Sequence, residues 1–211
     1  KLTEDESKKI QEAKQKGVVV SSESWRYYPE GDLGANLLGF VNDERKGNYG
    51  LEEYFNQELR GVDGQLKEEA DTSGVTIVFG NNTSRPAVDG DDIYLTIDRY
   101  IQMEAEKLLT ESVKKFSAAS GSVIVMDPKS GQILAMANAP TFNPNEYEKV
   151  SEKDYGVFKN RAILDVYEPG SVFKVITMAA GLDAGKITPE TKYIDTGQII
   201  LDGHKIMNSD K

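Results

Sequence analysis

The sequence contains no cysteine and only one histidine, His204. The absence of cysteine excludes disulfide bonds, thiolate metal sites and a cysteine nucleophile. A Ser-His-Asp triad would have to use His204, which lies in the turn-like stretch LDGHKI. Because a single histidine in a loop is usually solvated, we do not expect His204 to belong to an active site.

Basic charge and long apolar runs are also scarce. The net charge is −10, and no dense block of Lys and Arg is present, which argues against nucleic acid as a partner. No stretch approaches the roughly 18–20 apolar residues of a membrane-spanning helix, and the opening KLTEDESKKI is not a signal peptide. The 211 residues are 38% hydrophobic, which is typical of a globular protein of one or two domains.

Helix and strand signals alternate over the first 90 residues. Thr3 and Glu6 stand at capping-box spacing and predict a surface helix that stops at Gly17. An apolar face that includes Leu51 and Leu59 predicts another helix, with Gly61 just past its end. Short strands are predicted over 18–20, 75–79 and 93–97, around a boundary near residue 90.

The pattern changes after this boundary. Asp98 stands where the N-cap of a long amphipathic helix is expected, and that helix extends to Phe116. The stretches GSVIVMD and QILAMAN, separated by PKSG, predict a β-hairpin. A polar connection follows from Pro140 to about Asn160. Mixed helices and hairpins of this kind indicate an α+β fold.

The segment YEPGSVFKVITMAAGL, residues 167–182, predicts a helix that begins at or just before Ser171. Its apolar residues point in every direction, so the helix is expected to be buried. Lys174 is the only charged residue between Glu168 and Asp183. A buried lysine needs compensation, because lysine is almost never fully buried without a partner.

Ser171 and Lys174 are three residues apart, so a helix places both side chains on one face. A serine hydroxyl needs an adjacent base to act as a nucleophile, and burial can lower a lysine pKa enough to supply a neutral amine. Free backbone N–H groups at the helix start could stabilise an oxyanion. These features describe acyl transfer through a serine ester.

A structural interpretation of the same pair remains open. Lys174 could extend its charged end out of the core while Ser171 merely starts the helix. The tetrapeptide pattern is not specific, because Ser112 and Lys115 repeat it on the polar side of the predicted long helix. That second copy is expected to be inert.

A family resemblance supports the catalytic interpretation. EPGSVFK, preceded by NRAILDVY, resembles the first active-site motif of the class B penicillin-binding proteins, which are monofunctional transpeptidases. RYYPEGDLGANLLGFV, YGLEEYF and LRGVDG resemble the family's non-catalytic pedestal, and DIYLTIDRYIQMEAEKLL with GSVIVMDPKSGQILAMANAPTFNPN resembles the opening of its transpeptidase domain. The resemblance implies a partial pedestal domain of the dimerisation type over 1–90. The amino-terminal part of a transpeptidase domain, with a serine beta-lactamase-like fold, would follow over 91–211.

The resemblance implies that Ser171 is the nucleophile and Lys174 the general base of a peptidoglycan DD-transpeptidase. The substrates would be stem peptides ending in D-Ala-D-Ala, and beta-lactams would acylate the same serine. It also implies a location at the outer face of the cell membrane, an anchor in the full-length protein and partners among the proteins of wall elongation or division. No metal or organic cofactor and no nucleic acid is implied.

The family's second and third motifs lie on the carboxyl side of the first, and this sequence ends at Lys211 without them. We therefore expect the 211 residues to be part of a longer enzyme and to be nearly inactive alone. The stretches 129–131 and 54–56 spell similar motifs, but both precede Ser171, which is the wrong order. Arg26 and Glu52 resemble a structural ion pair of the pedestal.

Two other functions remain open. The same serine ester could pass to water, as in a DD-carboxypeptidase or a serine beta-lactamase. Alternatively, the chain could be a non-catalytic interaction module of the wall-building machinery.

Overall fold

The computed structural model describes residues 2–21, 24–67 and 83–208. Its α-helices are α1 (Glu4–Glu12), α2 (Ala35–Leu38), α3 (Gly50–Tyr54), α4 (Asn56–Arg60), α5 (Arg99–Lys115), α6 (Arg161–Leu164) and α7 (Lys174–Asp183). Its strands are β1 (Phe40–Val41), β2 (Gly47–Asn48), β3 (Gln65–Lys67), β4 (Thr83–Arg85), β5 (Gly121–Met126), β6 (Ile133–Ala139), β7 (Gln198–Leu201) and β8 (His204–Met207). Short 3-10 helices cover Pro144–Lys149, Glu152–Phe158 and Gly170–Phe173.

Strands that follow one another along the chain form antiparallel pairs, β1 with β2, β3 with β4, β5 with β6 and β7 with β8. The combination of helices with antiparallel pairs confirms the predicted α+β class. By its internal contacts the chain divides into two units, residues 1–165 and 166–211. The assignment of functional domains to 1–90 and 91–211 remains a prediction.

α1 begins where the capping-box spacing predicts. The Thr3 hydroxyl accepts a hydrogen bond from the Glu6 N–H at 3.3 Å, and the Glu6 carboxylate accepts one from the Thr3 N–H at 2.8 Å. No residue of α1 is buried, which confirms a surface helix. The helix ends at Glu12, before Gly17. The strand prediction over 18–20 is wrong, because these residues pair with no other strand among the described residues.

The helix predicted between Leu51 and Leu59 is divided into α3 and α4 at Phe55, whose backbone leaves the helical region at φ −103° and ψ 27°. Gly61 follows α4, as predicted, with a φ of +66°. A Cβ atom at Gly61 would collide with the backbone oxygen of Val88. Glycine is therefore required for the close approach that lets Val62 and Val88 exchange backbone hydrogen bonds.

The long helix and the hairpin that follows it are both confirmed, as α5 and as β5 with β6. The Asp98 carboxylate caps α5 by accepting hydrogen bonds from the N–H groups of Tyr100 and Ile101, at 2.9 and 3.0 Å. A Cβ atom at Gly121 would lie 2.9 Å from the Leu109 side chain, so α5 packs closely on this face of the hairpin. The small side chains on the same face of β6 are buried: Ala135, Ala137 and Ala139.

The strand prediction over 93–97 is wrong, because this segment runs beside β6 without forming a ladder. The Thr96 hydroxyl donates to the Ile133 carbonyl of β6 at 2.6 Å, and just after the segment the backbone N–H of Asp98 donates to the Leu134 carbonyl at 2.8 Å. These two isolated hydrogen bonds do not form the regular backbone ladder that defines a strand. The strand predicted over 75–79 lies outside the described residues.

An aromatic core joins the segment around Phe40 to the segment that follows the hairpin. The rings of Phe40 and Tyr147 stack with centroids 4.3 Å apart, and Phe40 lies 4.9 Å from Phe158. Phe142 and Phe158 meet edge to face at 4.8 Å, and Tyr28 completes the buried cluster. Residues on both sides of position 90 therefore share one core.

The unit of residues 166–211 contains α7 and the β7–β8 hairpin. The hairpin turns at Asp202 and Gly203, whose φ angles of +49° and +80° match the right-handed twist of the strands. Across the described ranges of the chain, no helix combines the length and the apolarity needed to cross a bilayer.

Candidate active site

Ser171 and Lys174 lie at the start of α7, as the sequence predicts. Ser171 belongs to the 3-10 turn Gly170–Phe173, and Lys174 is the first residue of α7. The N–H of Lys174 donates to the carbonyl of Ser171, and Gly170 supplies the left-handed backbone, with φ +57°, at which the turn begins. The serine and lysine are therefore neighbours on one side of this helical turn.

The prediction that this helix is buried is wrong for the chain as it stands. Val175 is 74% exposed and Ile176 58% exposed, and Lys174 is also exposed. Apolar residues on all sides of a helix indicate that other elements must pack around it. The pattern does not show whether those elements lie within the same segment of the chain. Gly181 of α7 lies close to Ile187, whose side chain would be 2.8 Å from a Cβ atom at position 181. The burial that would assist a lysine base is absent within residues 166–208.

The arrangement places a hydroxyl group and an amine at neighbouring positions of one helix start. Between the side chains of Ser171 and Lys174, both of which the structure describes, no hydrogen bond is formed. The backbone N–H groups at this end of α7 carry the positive end of the helix dipole. A carbonyl oxygen that becomes negatively charged would be stabilised there.

The second Ser-x-x-Lys copy has a different environment. The hydroxyl of Ser112 donates to the Leu108 carbonyl of its own helix at 2.7 Å, and both Ser112 and Lys115 are exposed on α5. This hydrogen bond within the helix engages the proton of Ser112 with a backbone acceptor. The hydroxyl proton of Ser112 is therefore directed at the Leu108 carbonyl and not at Lys115.

The two misplaced motif look-alikes have structural roles. In the turn between β5 and β6, the Asp127 carboxylate accepts hydrogen bonds from the Ser130 hydroxyl at 2.6 Å and from the Lys129 N–H at 3.0 Å. The hydrogen bond from Ser130 contributes most to a lowered pKa of Asp127. In the stretch 54–56, the side-chain oxygen of Asn56 accepts from the Gly47 N–H at 2.7 Å.

His204 is exposed at the start of β8. In the described part of the chain it forms no hydrogen bond with a serine or an aspartate, so no Ser-His-Asp triad is assembled around it. The same residues contain no group of three or more His, Asp or Glu side chains that could hold a metal ion.

The predicted pair of Arg26 and Glu52 is confirmed. The Nε of Arg26 lies 2.9 Å from one oxygen of Glu52, and its terminal nitrogen lies 3.3 Å from the other. Tyr28 also donates to Glu52, at 3.2 Å, and accepts from the Val41 N–H at 2.9 Å. Burial, followed by the charge of Glu52, raises the pKa of the Tyr28 hydroxyl, which therefore remains a donor.

Two family models match the chain in sequence. The penicillin-binding protein dimerisation domain matches residues 1–95, and the penicillin binding protein transpeptidase domain matches residues 121–211. The chain is thus an α+β protein in which a dimerisation-type segment precedes a transpeptidase-type segment. It belongs to the penicillin-binding protein family, in its class B group, as its motifs predicted.

Curated relatives match most of this chain. Stage V sporulation protein D of Bacillus subtilis is 33% identical over 98% of the chain and 32% of its own length. The probable peptidoglycan D,D-transpeptidase PbpC of Pseudomonas aeruginosa is 38% identical over 90% of the chain and 33% of its own length. The chain therefore spans about a third of the length of these relatives.

Solved structures resemble the same region. The match to a peptidoglycan synthetase from Bifidobacterium adolescentis covers 99% of this chain and 37% of the synthetase chain, with a TM-score of 0.75 and 32% identity. Another match is penicillin binding protein 3 from Mycobacterium tuberculosis, whose structure was solved in complex with aztreonam. This match covers 87% of this chain and 37% of the solved chain, with a TM-score of 0.69 and 28% identity.

Proposed function

We propose that the full-length protein is a peptidoglycan DD-transpeptidase in which Ser171 is the nucleophile and Lys174 the general base. The observation that carries the proposal is the placement of both residues, one turn apart, at the start of a helix. This helix lies inside the segment that matches the transpeptidase domain. Peptidoglycan D,D-transpeptidase FtsI of Escherichia coli is 33% identical over 93% of the chain, and PbpC of Pseudomonas aeruginosa is named as a probable peptidoglycan D,D-transpeptidase.

The proposed reaction has two steps. The Ser171 oxygen attacks the carbonyl carbon of the D-Ala-D-Ala peptide bond while the Lys174 amine accepts the hydroxyl proton. The C–N bond breaks, and D-alanine leaves after its nitrogen takes up a proton. An amine of a neighbouring stem peptide then attacks the ester, forms the new amide and returns the hydroxyl to Ser171.

Lys174 can accept a proton only if its amine is neutral. Because a solvated lysine is almost fully protonated at pH 7, the proposal requires that α7 be covered in the full-length protein. The exposed apolar side chains around α7 support this requirement, since they are the kind of surface that folding buries. Cover on all sides of α7 would bury Lys174 as well.

Beta-lactams are proposed as covalent inhibitors at Ser171, because the Mycobacterium tuberculosis relative is recorded in complex with aztreonam. We further propose that the protein works at the extracytoplasmic face of the cell membrane, where stem peptides are found. Proteins of wall synthesis and of division or elongation are proposed as its partners.

Labelling of the full-length protein with a fluorescent penicillin, followed by intact mass and peptide mapping, tests this function. The expected result is one adduct on the peptide that carries Ser171. Ser171→Ala should abolish the adduct, and Lys174→Ala should slow acylation by about 100-fold or more, within the usual range for the loss of a general base. Ser112→Ala is the matched control, because it changes the other Ser-x-x-Lys copy, and it should leave labelling unchanged.

The other functions predict different outcomes. A folded wild-type protein that forms no adduct and cross-links no stem peptides would favour an interaction module. An adduct that forms normally but passes mainly to water, with no cross-linked product from stem peptides, would identify a hydrolase. Labelling that persists in Ser171→Ala would exclude the assigned nucleophile.

A further inference from the structure

Gly170, the residue immediately before Ser171, has a backbone conformation that other amino acids rarely adopt. Its φ is +57°, whereas Pro169 before it has φ −69° and ψ −24°. At positive φ the Cβ atom of an L-amino acid comes too close to its own backbone, and glycine has no Cβ atom. The chain therefore changes direction sharply one residue before the candidate nucleophile.

This conformation belongs to a turn that contains Ser171. The Pro169 carbonyl accepts a hydrogen bond from the Val172 N–H at 3.3 Å, so Gly170 and Ser171 are the two central residues of the turn. The Lys174 N–H then donates to the Ser171 carbonyl. A turn with positive φ at its first central residue favours glycine there, with asparagine as the next choice. Gly170 thus sets the backbone from which Ser171 continues.

A helix of this length does not require such a glycine at its start. Among the described residues, the other helices of nine residues or more are α1 and α5. They begin after Thr3 and Asp98, whose backbones are extended and whose side chains cap the first turn. Before α7, neither Pro169 nor Phe173 forms a side-chain cap hydrogen bond. The start of α7 therefore differs from theirs in backbone conformation and in capping.

Gly185, at the other end of α7, has the same kind of backbone for an ordinary reason. Its φ is +63°, its N–H donates to the Leu182 carbonyl at 3.0 Å, and the Lys186 N–H donates to the Gly181 carbonyl at 3.0 Å. This pair of hydrogen bonds with a left-handed glycine is a common way to end a helix. Gly185 thus closes α7, and its position is far along the helix from Ser171.

Lack of space does not explain the glycine at either position. Within residues 166–208 and apart from the two chain neighbours, no heavy atom lies within 4 Å of the place that a Cβ atom would take at Gly170, and the same holds at Gly185. Gly61 is the opposite case, because a Cβ atom there would collide with the Val88 backbone oxygen. The requirement at Gly170 is therefore one of backbone conformation.

The cost of this conformation in other residues has a consequence for Ser171. An L-amino acid adopts a left-handed backbone about 5- to 30-fold less readily than a right-handed one. The hydrogen bond of 3.3 Å that closes the turn is long, so a strained residue at position 170 is relieved most easily by a change in the turn itself. Such a change moves the next residue, Ser171, and a misplacement by about 1 Å can cost about 100-fold in rate.

We propose that Gly170 is a positioning residue for the acylation of Ser171. Its positive φ sets the direction in which the Ser171 hydroxyl points at the start of α7. This role rests on the function proposed above. Gly170 contributes no side chain to the reaction and acts only through the backbone that it shares with Ser171.

The test measures penicillin acylation of the full-length protein at increasing drug concentration, which separates the limiting acylation rate from the half-saturating concentration. Gly170→Ala should lower the limiting rate about 5-fold or more, with little change in the half-saturating concentration. Gly170→Asn should lower the rate less than alanine does, because asparagine tolerates positive φ better. Crowding by the elements that cover α7 would give the opposite order, since asparagine is the larger residue.

Gly185→Ala is the matched control, because it places the same side chain at a similar φ at the other end of the same helix. Both alanine variants should lower the melting temperature, but only Gly170→Ala should lower the limiting acylation rate. Three results would overturn the inference: an unchanged rate in Gly170→Ala, an equal loss in Gly185→Ala, or a larger loss with asparagine than with alanine at position 170.

If Gly170→Ala does not fold, the asparagine variants of the two glycines decide. A lower limiting rate in Gly170→Asn than in Gly185→Asn supports the positioning role, and equal rates contradict it. A folded wild-type protein that is not acylated contradicts the proposed function instead.

Discussion

Glu106 illustrates how far a single side chain in this fold depends on distant residues. Its carboxylate oxygen accepts a hydrogen bond from the Gly34 N–H at 2.8 Å and another from the Gln102 amide at 2.7 Å. Burial raises the pKa of Glu106, although both hydrogen bonds act in the opposite direction. Desolvation of the charge, together with the negative charge of Asp32, therefore outweighs the stabilisation that the two donors provide.

Glu106 should make the stability of the protein depend on pH. Because its folded-state pKa lies above the unfolded value near 4.5, its stabilising contribution is complete below that value and is lost as pH rises through the folded pKa. Glu106→Gln keeps an oxygen acceptor but cannot ionise. Urea unfolding from pH 4 to pH 8 should therefore find the variant increasingly favoured over wild type as pH rises. A stability difference that does not change with pH would contradict this account.

The Arg26–Glu52 pair shows what sequence can anticipate at this scale. Its partners were expected from the pedestal motifs, and the two contacts of 2.9 and 3.3 Å confirm them. Tyr28 as a third member was not expected, because only the fold brings its hydroxyl between Glu52 and the N–H of Val41.

At the scale of elements, the junction between α5 and β6 depends on one amide. The Gln102 nitrogen donates to the Met136 carbonyl at 3.0 Å, and its oxygen accepts from the Met136 N–H at 2.8 Å. This pairing satisfies the outward-facing backbone groups in the middle of β6 much as another strand would. It protects part of an edge that would otherwise be open to pairing with other chains.

Gln102→Leu should destabilise the protein by about 2–4 kcal/mol, because it leaves the partly buried backbone N–H and carbonyl of Met136 without partners. Chemical denaturation measures the loss, and Gln132→Leu, in the exposed hairpin turn, is the control. We expect that control to change stability by less than about 0.5 kcal/mol. A Gln102→Leu cost as small as that of the control would mean that solvent or another residue replaces the amide.

At the scale of the whole molecule, the two units differ in how they bury their apolar residues. Residues 1–165 contain the aromatic core around Phe40 and the covered face of β6. Along α7 and the β7–β8 hairpin, the large apolar side chains are mostly more than half exposed. A ten-residue helix without tertiary cover is marginally stable in water.

Hydrogen exchange of the 211-residue chain should reflect this difference. Amides of α7 are expected to exchange at least about 100-fold faster than those in the centre of α5, because local opening of α7 exposes little additional apolar surface. Mass spectrometry of peptic fragments measures both helices in one sample, so α5 is the internal control. Equal protection of the two helices would mean that α7 is covered in solution.

The sequence by itself determined the features whose partners are close along the chain. The capping box of Thr3 and Glu6, the Asp98 cap and the β5–β6 hairpin depend on hydrogen bonds between near neighbours, and all were predicted. The order of the motifs around Ser171 also predicted the family. The strands predicted over 18–20 and 93–97 failed because a strand requires a partner that local sequence does not specify.

Only the tertiary structure decided which distant groups meet. The stacking of Phe40 on Tyr147 joins residues more than 100 positions apart, and the pairing of Asn138 with Asn160 gave no signal in the sequence. The same distinction applies to the candidate site. Spacing placed Ser171 beside Lys174, whereas the burial of Lys174 depends on elements that pack around α7. The spacing of Ser171 and Lys174 is set within one helix by its local backbone, whereas the burial of Lys174 is set by the tertiary contacts of every element that packs against that helix.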